Sequence, residues 1–540
     1  MDAKQLAAFL HRAEQGLESH DFQRLQQLTE SYAYLTQLVA DKDTTIEGLR
    51  QLFAGSRSEK TSAVLGDKGD GDNQPSEDHD PVASDEPSDE DEKPPPKPGH
   101  GRNGVNDYPG ADRVPVPHPS LQSGDDCPNC GAGTVYQMAP GVLLRFTGQA
   151  PLNATIYELQ KLRCNLCGKV FTAEQPAEAG GRKYAATAAS MIGLLKYGTG
   201  MPFNRMAGLQ RGLGISLPPS TQWEIVHRLA DEVAPVYQAL VHAGAQSDVM
   251  YIDDTSVRIL ELMNADSRHR ILSGDGVDKG VAERTGLFTS GVVTTCEKRH
   301  IALFFSGHQH AGENLRDLLQ HRDQELSPPI QMCDGLSRNT KGDFETIVAN
   351  CLTHGRRKFV ACHPAFPNEC SVMIVTLKSV YRNDALTKSM TAEERLAYHQ
   401  QHSSPVMNEL QEWLVRQFDE RLVEPNSQLG GAINYMLKRW DELTLFLRKS
   451  GAPLDNNICE RALKRIIIHR KNSLFYKTRT GASVGDCLMS LIYTCELNGA
   501  RSFEYLTVLQ QHAPLVQKAP NQWLPWNYQE AVHASLPTAA

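Results

Sequence analysis

The sequence predicts a multidomain α+β protein, and three observations support that fold class. At 540 residues the chain is too long for one hydrophobic core of ordinary size. Its hydrophobic pattern changes along the chain, from heptads to short strand-like runs and then to long helical segments. The segment 61–105 is too acidic and too rich in Pro and Gly to bury a core. We therefore expect several domains, some helical and some containing strands, joined by a linker.

The N-terminal region, residues 1–60, is predicted to be a coiled-coil helix resembling a leucine zipper. Apolar residues recur with a heptad period over about four heptads, with Lys42 as the exception. They are Leu25, Tyr32, Val39, Ile46 and Phe53 at one heptad position and Leu28, Leu35 and Leu49 at the other. A helix packed on its own domain is the alternative. Little apolar sequence nearby could cover this stripe, which favours self-association into a homo-oligomer.

Residues 61–105 are predicted to form a disordered acidic and proline-rich linker. Between 67 and 92 there are twelve acidic residues and one base, Lys68, so the local net charge is −11. The other residues then carry +2 (−9 minus −11), so the acidity of the whole chain does not exclude a nucleic-acid partner. A solvated surface loop is the alternative, which the length of the segment disfavours.

Residues 106–180 are predicted to be a zinc ribbon. Cys127 and Cys130 form one Cys-x-x-Cys knuckle, and Cys164 and Cys167 form a second. Two such pairs can close a tetrahedron of thiolates around one Zn²⁺, and a closed four-cysteine site is structural rather than catalytic. Unrelated buried cysteines are the alternative, but the paired spacing and the glycine after each knuckle argue against it.

Residues 181–246 are predicted to be helical and to contribute to DNA binding. The run SLPPSTQWEIVHRLADEV places a capping Ser220 or Thr221 before an amphipathic helix, which is similar to the second helix of a helix-turn-helix pair. An ordinary helical spacer fits nearly as well.

The next region, residues 247–340, changes to strand-like periodicity. SDVMYIDDTSVRIL, GLFTSGVVTTC and HIALFF are predicted strands, ENLRDLLQH a helix, and PIQMCDG a further strand. This order predicts the first part of a ribonuclease-H-like α/β core. Residues 341–450 are predicted to be a helical insertion, which includes the run FETIVANCLTHGRRKFVAC as helix. Residues 451–500 would complete the core, followed by a C-terminal tail over 501–540.

Three acids of the predicted core are candidate metal ligands. Asp253 and Asp334 end strands, and Glu460 lies near the start of a predicted helix that runs from Asn456 or Asn457 through His469. Carboxylates suit Mg²⁺ (or Mn²⁺), and two such ions can promote phosphodiester cleavage. For Glu460 the alternative is an i,i+4 ion pair with Lys464.

Two further points about the acids stay open from the sequence alone. Asp254 rivals Asp253, because neighbouring strand residues face opposite sides of a sheet. Cys351, His354, Cys362 and His363 have the chemistry of a second metal site, although irregular spacing favours ordinary burial. His308 and His310 are expected at a surface or a strand end rather than as ligands.

Basic residues cluster around the predicted acids. Lys and Arg supply the sequence-independent part of DNA affinity through the phosphate backbone. The candidate DNA contacts are Arg461, Lys464, Arg465, Arg470, Lys471, Arg356, Arg357 and Lys358.

Several motifs together resemble the insertion-sequence sixty-six family of bacterial transposases. NNICERALKRIIIHRKNSLFY is similar to that family's Asn-Asn-x-x-Glu-Arg and Arg-Lys-Asn-x-Leu-Phe signature. FAGSRSEK, the two Cys-x-x-Cys knuckles, IDDTSV, MCDG, CLTHGRRKF and LPWN resemble its other blocks, in the same order. The sequence departs from the pattern at Asp254, where Glu is frequent, and at Leu336 to Asn339, where an aromatic residue is frequent.

The resemblance implies a DDE transposase with Asp253, Asp334 and Glu460 as its Mg²⁺-binding triad. Such an enzyme cleaves and transfers DNA strands at the ends of an insertion sequence, so its expected partners are the terminal repeats and target DNA. The resemblance also implies accessory proteins encoded by the element. A non-catalytic DNA-binding protein, or an inactive relic acting as a regulator, is the alternative. With no signal peptide and no membrane-spanning run, a cytoplasmic, nucleoid-associated location is expected.

Overall fold

The computed structural model describes residues 150–535, except for gaps at 164, 166–169, 265–283, 297–298, 337–338 and 340–344, together with short pieces between 116 and 134. The predicted coiled coil, the acidic linker and the cysteines Cys127, Cys130, Cys164 and Cys167 lie outside the described residues. Those assignments therefore stay predictions. Residues 151–540 belong to one compact unit, which contains all of the following helices and strands.

Five strands form a mixed sheet, and two more form a separate antiparallel pair. The pair is β1 (Lys161–Arg163) with β2 (Val170–Thr172). The sheet contains β3 (Val249–Ser256), β4 (Phe288–Cys296), β5 (Arg299–Gly307), β6 (Ile330–Cys333) and β7 (Ile347–Asn350). Its order is β5-β4-β3-β6-β7, with β3, β4 and β5 antiparallel and β6 and β7 parallel to β3. The fold is mixed α/β, compatible with the predicted α+β class.

Helices precede, interrupt and follow the sheet. Up to the end of β7 they are α1 (Ala186–Gly193), α2 (Phe203–Gly212), α3 (Pro219–Ala245), α4 (Leu260–Met263) and α5 (Ala311–Leu319). Then come α6 (Leu352–Cys362), α7 (Pro367–Leu386), α8 (Ala392–His402), α9 (Ser404–Asp419), α10 (Gln428–Lys438) and α11 (Trp440–Leu443). The last are α12 (Asn457–Ser473), α13 (Arg479–Leu497), α14 (Ser502–Gln511), α15 (Ala513–Lys518) and α16 (Tyr528–Ser535). None of the helices in the described part of the chain is long and apolar enough to span a bilayer.

One sequence prediction about the helical region is wrong. The run FETIVANCLTHGRRKFVAC was expected to be helical throughout, but Ile347–Asn350 is the edge strand β7, and α6 begins only at Leu352. The physical reason is that a short apolar run carries no decisive period, so its pairing with β6 determines the structure. Helices α6, α7, α9 and α10 pack around a second buried cluster that reaches the sheet at Ile330 and Met332.

Helix α12 packs directly on the centre of the sheet because β4 has a glycine there. Gly291 lies opposite Asp253 in the β3–β4 register. A Cβ atom at Gly291 would lie 3.1 Å from Cδ2 of Leu463 and 3.4 Å from Sγ of Cys459, so a side chain there would press on α12. The side-chain amide of Asn456 donates to the carbonyl of Ile252 at 2.9 Å. The start of α12 is therefore fixed beside the end of β3.

Helix α13 covers the edge strand β5 with a ladder of polar side chains. Asp486, Ser490 and Thr494 accept from the backbone N–H groups of alternate residues of β5, at 2.7, 3.0 and 3.0 Å. One step of four residues along a helix advances about 6 Å, close to the advance of two strand residues, so the two spacings match. The ladder satisfies donors that an edge strand would otherwise expose.

Candidate active site

The neighbouring parallel strands β3 and β6 bring Asp253 and Asp334 close together in the middle of the sheet order. Strand β3 pairs with β6 up to Tyr251 opposite Met332. Continuing that register by two residues sets Asp253 beside Asp334, which directly follows β6. The two aspartates therefore lie side by side through the parallel register, Asp334 just after β6 and Asp253 within β3, which continues to Ser256 instead of ending at the aspartates as predicted.

Asp253 and Asp254 face opposite sides of the sheet. Asp253 pairs with Gly291, whose open side is filled by α12. Asp254 pairs with Ser290, which accepts from the amide of Asn314 on α5 at 2.8 Å. Because directly opposed strand residues share a face, Asp253 faces α12 and Asp254 faces α5.

The carboxylate of Asp254 has polar partners at the start of α5. Its side chain is only 3% exposed, and Nδ1 of His310 lies 3.0 Å from its Oδ2. The backbone N–H of Ala311 donates to the same oxygen at 3.4 Å. His310 thus follows the strand, as expected, and pairs with an acid, while the neighbouring His308 is buried rather than on the surface. The geometry groups Asp253, and not Asp254, with the other two acids.

The carboxyl of Asp253 is buried near three other acids. The pKa of Asp253 is raised to about 7, first by burial and then by the negative charges of Asp334, Asp254 and Glu460. The backbone N–H of Asp254 donates to Oδ1 at 2.8 Å and lowers the pKa, but this does not offset the rest. Acidic oxygens that repel one another in this way suit a hard divalent cation, which neutralises them.

Glu460 lies in the first turn of α12 and is held by a residue far away in sequence. Nη2 of Arg357, on α6, lies 2.8 Å from Oε2, and Nη1 lies 3.2 Å from Oε1. Nδ1 of His354 lies 3.7 Å from Oε1. Among the described residues the ion pair of Glu460 is with Arg357 rather than with Lys464, so the local i,i+4 alternative is wrong.

The loop after Asp334 is held by side chains that sequence reasoning missed. The amide of Asn339 donates to Oδ1 of Asp334. Arg439, at the end of α10, donates from Nε and Nη2 to the carbonyl of Gly335 at 3.2 and 2.8 Å. Tyr435 lies under the guanidinium of Arg439, 4.6 Å from its ring centroid. The one sequence signal for this contact is the four-residue spacing of Tyr435 and Arg439, which is about one helical turn.

A cleft of about 480 Å³ opens beside Asp334. Its walls combine the acid with cationic and aromatic side chains. They are Asp334, Gly335, Leu336, His354, Arg357, Lys358, Ala361, Tyr435 and Arg439. A cleft with three cations next to a carboxylate has the charge to receive a phosphate group.

The four-residue metal site considered from the sequence is wrong in its composition. Cys351 and His354 lie at the start of α6, and their ligand atoms are within 4.8 Å of a carboxylate oxygen of Glu460. Cys362 ends the same helix, eight residues after His354 and therefore about 12 Å along the axis. Cys362 and His363 accordingly do not join the cluster that the described residues form.

Some of the predicted DNA contacts on α12 are exposed to solvent, and others are bound to protein partners. Arg461, Lys464 and Lys471 are exposed along one face of α12. Arg465 is paired with Glu496, and Arg470 with the hydroxyl of Thr255 and backbone of Ser256.

The cations of α6 also differ from one another. Arg356 is buried, with 8% of its surface exposed. Lys358 lies 4.6 Å from the ring centroid of Tyr435 at the cleft. Arg357 is engaged by Glu460. Arg357 and Lys358 thus line the cleft beside Asp334, whereas Arg356 belongs to the interior.

Comparison with known proteins places the chain in a family. Uncharacterized protein y4hP of Sinorhizobium fredii is 24% identical over 445 residues, 77% of this chain and 75% of that protein. Uncharacterized protein y4jD of the same organism is 27% identical over 379 residues, 68% of this chain and 70% of that protein. The model described as Transposase IS66 family matches residues 182–484, a segment that contains Asp253, Asp334 and Glu460. Since that match covers more than half of the sequence, this chain belongs to the Transposase IS66 family.

Proposed function

We propose that this chain is a DDE transposase that cleaves and transfers DNA strands at the ends of an insertion sequence. Asp253, Asp334 and Glu460 would be its metal ligands, on a core of ribonuclease-H-like type. The observation that carries the proposal is the convergence of an aspartate within β3, an aspartate just after β6 and a glutamate in the first turn of α12, from three distant parts of the sequence. Family membership supports a DNA-acting enzyme.

The carboxylates would act by holding divalent cations, and the donor set fits Mg²⁺ (or Mn²⁺) because all three ligands are hard oxygens. Bound Mg²⁺ would supply charge stabilisation at the phosphorus and activation of the attacking hydroxyl. Asp253 and Asp334 are fixed by neighbouring strands, and Glu460 by a helix packed on Gly291. The chain thereby sets the distance between ligands before DNA arrives, which is the main contribution a protein makes to phosphoryl transfer.

The reaction would use the same site twice. In cleavage, a water oxygen forms a bond to phosphorus while the bond to the 3′-oxygen breaks, and that oxygen leaves with a proton. In strand transfer, the freed 3′-hydroxyl forms a bond to a target phosphorus, and a target 3′-oxygen leaves. Arg357 and Lys358 in the cleft would bind the flanking phosphates.

Exposed cations on α12 would hold the DNA duplex. Arg461, Lys464 and Lys471 lie on one face of α12, whose first turn carries Glu460, so a DNA backbone bound there would lead to the acids. Substituting each by alanine should reduce the slope of log affinity against log salt by about 0.9 for each phosphate that the protein no longer neutralises. The helical region 181–246, the zinc ribbon and the coiled coil remain predicted contributors to end binding and assembly. Accessory proteins of the element stay a proposal as well.

The deciding experiment is cleavage of a labelled duplex carrying the element's own end, with Mg²⁺ and with EDTA. Wild type is compared with Glu460→Gln, and Glu496→Gln is the matched control, because Glu496 pairs with Arg465 elsewhere on the surface. Metal-dependent cleavage that Glu460→Gln loses and Glu496→Gln keeps would support the proposal. The bidentate pair between Arg357 and Glu460 favours a second candidate, a non-catalytic DNA-binding regulator. Equal cleavage by Glu460→Gln and wild type would leave Glu460 as a salt-bridge residue.

A further inference from the structure

A second set of ligand atoms meets at Glu460, and its chemistry differs from that of the three acids. Sγ of Cys351, an imidazole nitrogen of His354 and a carboxylate oxygen of Glu460 all lie within 4.8 Å of one another. Thiolate and imidazole prefer softer ions than Mg²⁺, and an S, N, O set of this kind is typical of zinc. The cluster therefore has a different metal preference from the carboxylates beside it.

The sulfur of Cys351 is held in place by backbone hydrogen bonds beside His354 and Glu460. Cys351 is the residue before α6, so its side chain lies at the N-terminus of an eleven-residue helix. The backbone N–H of Asn456 lies 3.3 Å from Sγ, and the backbone N–H of His354 also donates to it. Burial raises the pKa of the Cys351 thiol to about 11, so the thiol keeps its proton until a bound ion replaces it. The two N–H donors fix the position of the sulfur within the cluster, and this position is what the inference uses.

The imidazole of His354 supplies a second, independent observation. Its Nδ1 is buried and has no hydrogen-bond partner among the described residues, although it lies 3.7 Å from Oε1 of Glu460. Its Nε2 lies 3.4 Å from Nη1 of Arg357. Buried polar nitrogens in proteins are almost always satisfied, so an unsatisfied nitrogen directed at two other ligands indicates a site for an ion.

We propose that Cys351, His354 and Glu460 form a zinc-type site that shares Glu460 with the carboxylate triad. This inference rests on the proposed function, because it treats Glu460 as a Mg²⁺ ligand. A zinc ion bound to the sulfur and the imidazole would draw the Glu460 carboxylate toward itself and away from Asp253 and Asp334. Zinc would then oppose Mg²⁺-dependent strand cleavage, and Cys351 would determine how much zinc is needed to inhibit it.

The geometry allows such an ion to enter and bind. Zinc about 2.3 Å from sulfur and about 2.0 Å from nitrogen holds those atoms about 3.5 Å apart, so side-chain rotations that close the cluster by about 1 Å suffice. His354 is 28% exposed and lines the cleft beside Asp334, which gives the ion a path from solvent. Arg357 now neutralises Glu460 and would be displaced toward the cleft.

The test counts Co²⁺ ions, which substitute for zinc and give visible d–d absorption bands together with a near-ultraviolet thiolate-to-metal band. The full chain is titrated with Co²⁺ as wild type, Cys351→Ser and Cys362→Ser. Cys362 is a matched control, since it is a buried cysteine on the same helix but outside the cluster. The predicted zinc ribbon contributes equally to all three proteins, so only the difference matters. Wild type and Cys362→Ser should bind one Co²⁺ more than Cys351→Ser.

A second variant is used if the first one does not fold. If Cys351→Ser loses the cooperative thermal transition of wild type, His354→Gln replaces it, because that side chain is partly exposed. Equal Co²⁺ counts in wild type and in a folded variant would overturn the proposal.

A second readout separates this inference from the proposed function. Mn²⁺ bound to the triad is followed by its paramagnetic resonance signal while zinc is added. Displacing Mn²⁺ should need at least about tenfold more zinc in Cys351→Ser than in wild type, as expected when a ligand is removed. Displacement at equal zinc concentrations would refute the sharing of Glu460. A chain that gains the extra Co²⁺ but never cleaves DNA would contradict the proposed function and leave the zinc site standing.

Discussion

Two adjacent aspartates, Asp253 and Asp254, have opposite surroundings although they share one strand. Asp254 is nearly fully buried, with His310 and the N-terminus of α5 as partners. Asp253, on the other face, gathers with Asp334 and Glu460, and the pKa of Asp253 is raised to about 7 by burial and by those charges. The difference teaches that neighbouring residues of one strand can differ in charge environment, since Asp254 has polar protein partners while Asp253 is buried near other acids. Variants at Asp253 and Asp254 should therefore differ in DNA cleavage, in stability and in the pH dependence of stability, and variants of β4 on the two faces should differ as well.

The largest expected difference is in DNA cleavage. Asp253→Asn should lower Mg²⁺-dependent cleavage by at least about a hundredfold, because a metal ligand is removed, whereas Asp254→Asn should lower it by about tenfold or less, as a supporting residue would. The measurement is the cleaved fraction of an element-end duplex at saturating Mg²⁺. Greater damage from Asp254→Asn would reverse the assignment of the two faces.

The next difference is in stability without metal. At pH 8 in EDTA, Asp253→Asn should raise the free energy of unfolding by an amount on the order of 2 kcal/mol, because it removes a buried charge that its neighbours repel. Asp254→Asn should lower it by about 1 kcal/mol, because it removes a negative charge at a helix N-terminus and weakens the bond from His310. Urea unfolding of both variants measures the two signs. Shifts of the same sign would contradict the contrast.

The stabilisation by Asp253→Asn should depend on pH. Below about pH 4 the carboxyl is protonated in both the folded and the unfolded chain, so the substitution is neutral there. As pH rises toward the folded pKa of about 7, the unfolded chain loses its proton first, and the folded wild type loses stability relative to the variant. The pKa of Asp486 is also raised to about 7 by burial, so only the difference between wild type and Asp253→Asn is informative. A difference that stays constant from pH 4 to pH 8 would argue against a raised pKa at Asp253.

The smallest expected effects come from two neighbouring residues of β4. Gly291→Ala places a methyl group 3.1 Å from Leu463 and should displace α12, weakening Mn²⁺ binding by severalfold and costing about 1 to 3 kcal/mol. Ser290→Ala loses the bond to Asn314 on the other face, costs about 1 kcal/mol and should leave Mn²⁺ affinity unchanged. Titrations with Mn²⁺ and thermal unfolding distinguish the two. Equal loss of Mn²⁺ affinity would show that the faces are not independent.

The sequence predicted the parts of the site that depend on local pattern. The strand that carries the paired aspartates and the start of helix α12 at Asn457 follow from alternation and from helical spacing, and both are confirmed. The predicted end of that strand at the aspartates is wrong, because pairing with β4 continues through Ser256. The face of each aspartate was not predictable, because strand register depends on pairing with Gly291 and Ser290 of β4, which come much later in the sequence.

Long-range contacts explain what else the sequence left out. Arg357 reaches Glu460 across 103 residues, and Arg439 reaches Gly335 across 104. Such pairs leave no periodic signal in the sequence. The Arg357–Glu460 ion pair and the hydrogen bonds from Arg439 to Gly335 form only when the helices and the sheet pack together. Strand β7 was missed for a related reason, since its four residues are defined by β6 rather than by their own pattern.

The most direct test of the account is Mn²⁺ binding measured by paramagnetic resonance, because it asks about the carboxylates without requiring active DNA substrates. Wild type, Asp253→Asn, Asp334→Asn and Glu460→Gln are compared, with Asp254→Asn as the matched control on the opposite face. The account predicts that each of the first three substitutions weakens Mn²⁺ binding by at least about tenfold and that Asp254→Asn retains wild-type affinity. Wild-type affinity in Asp253→Asn, with loss in Asp254→Asn, would contradict it.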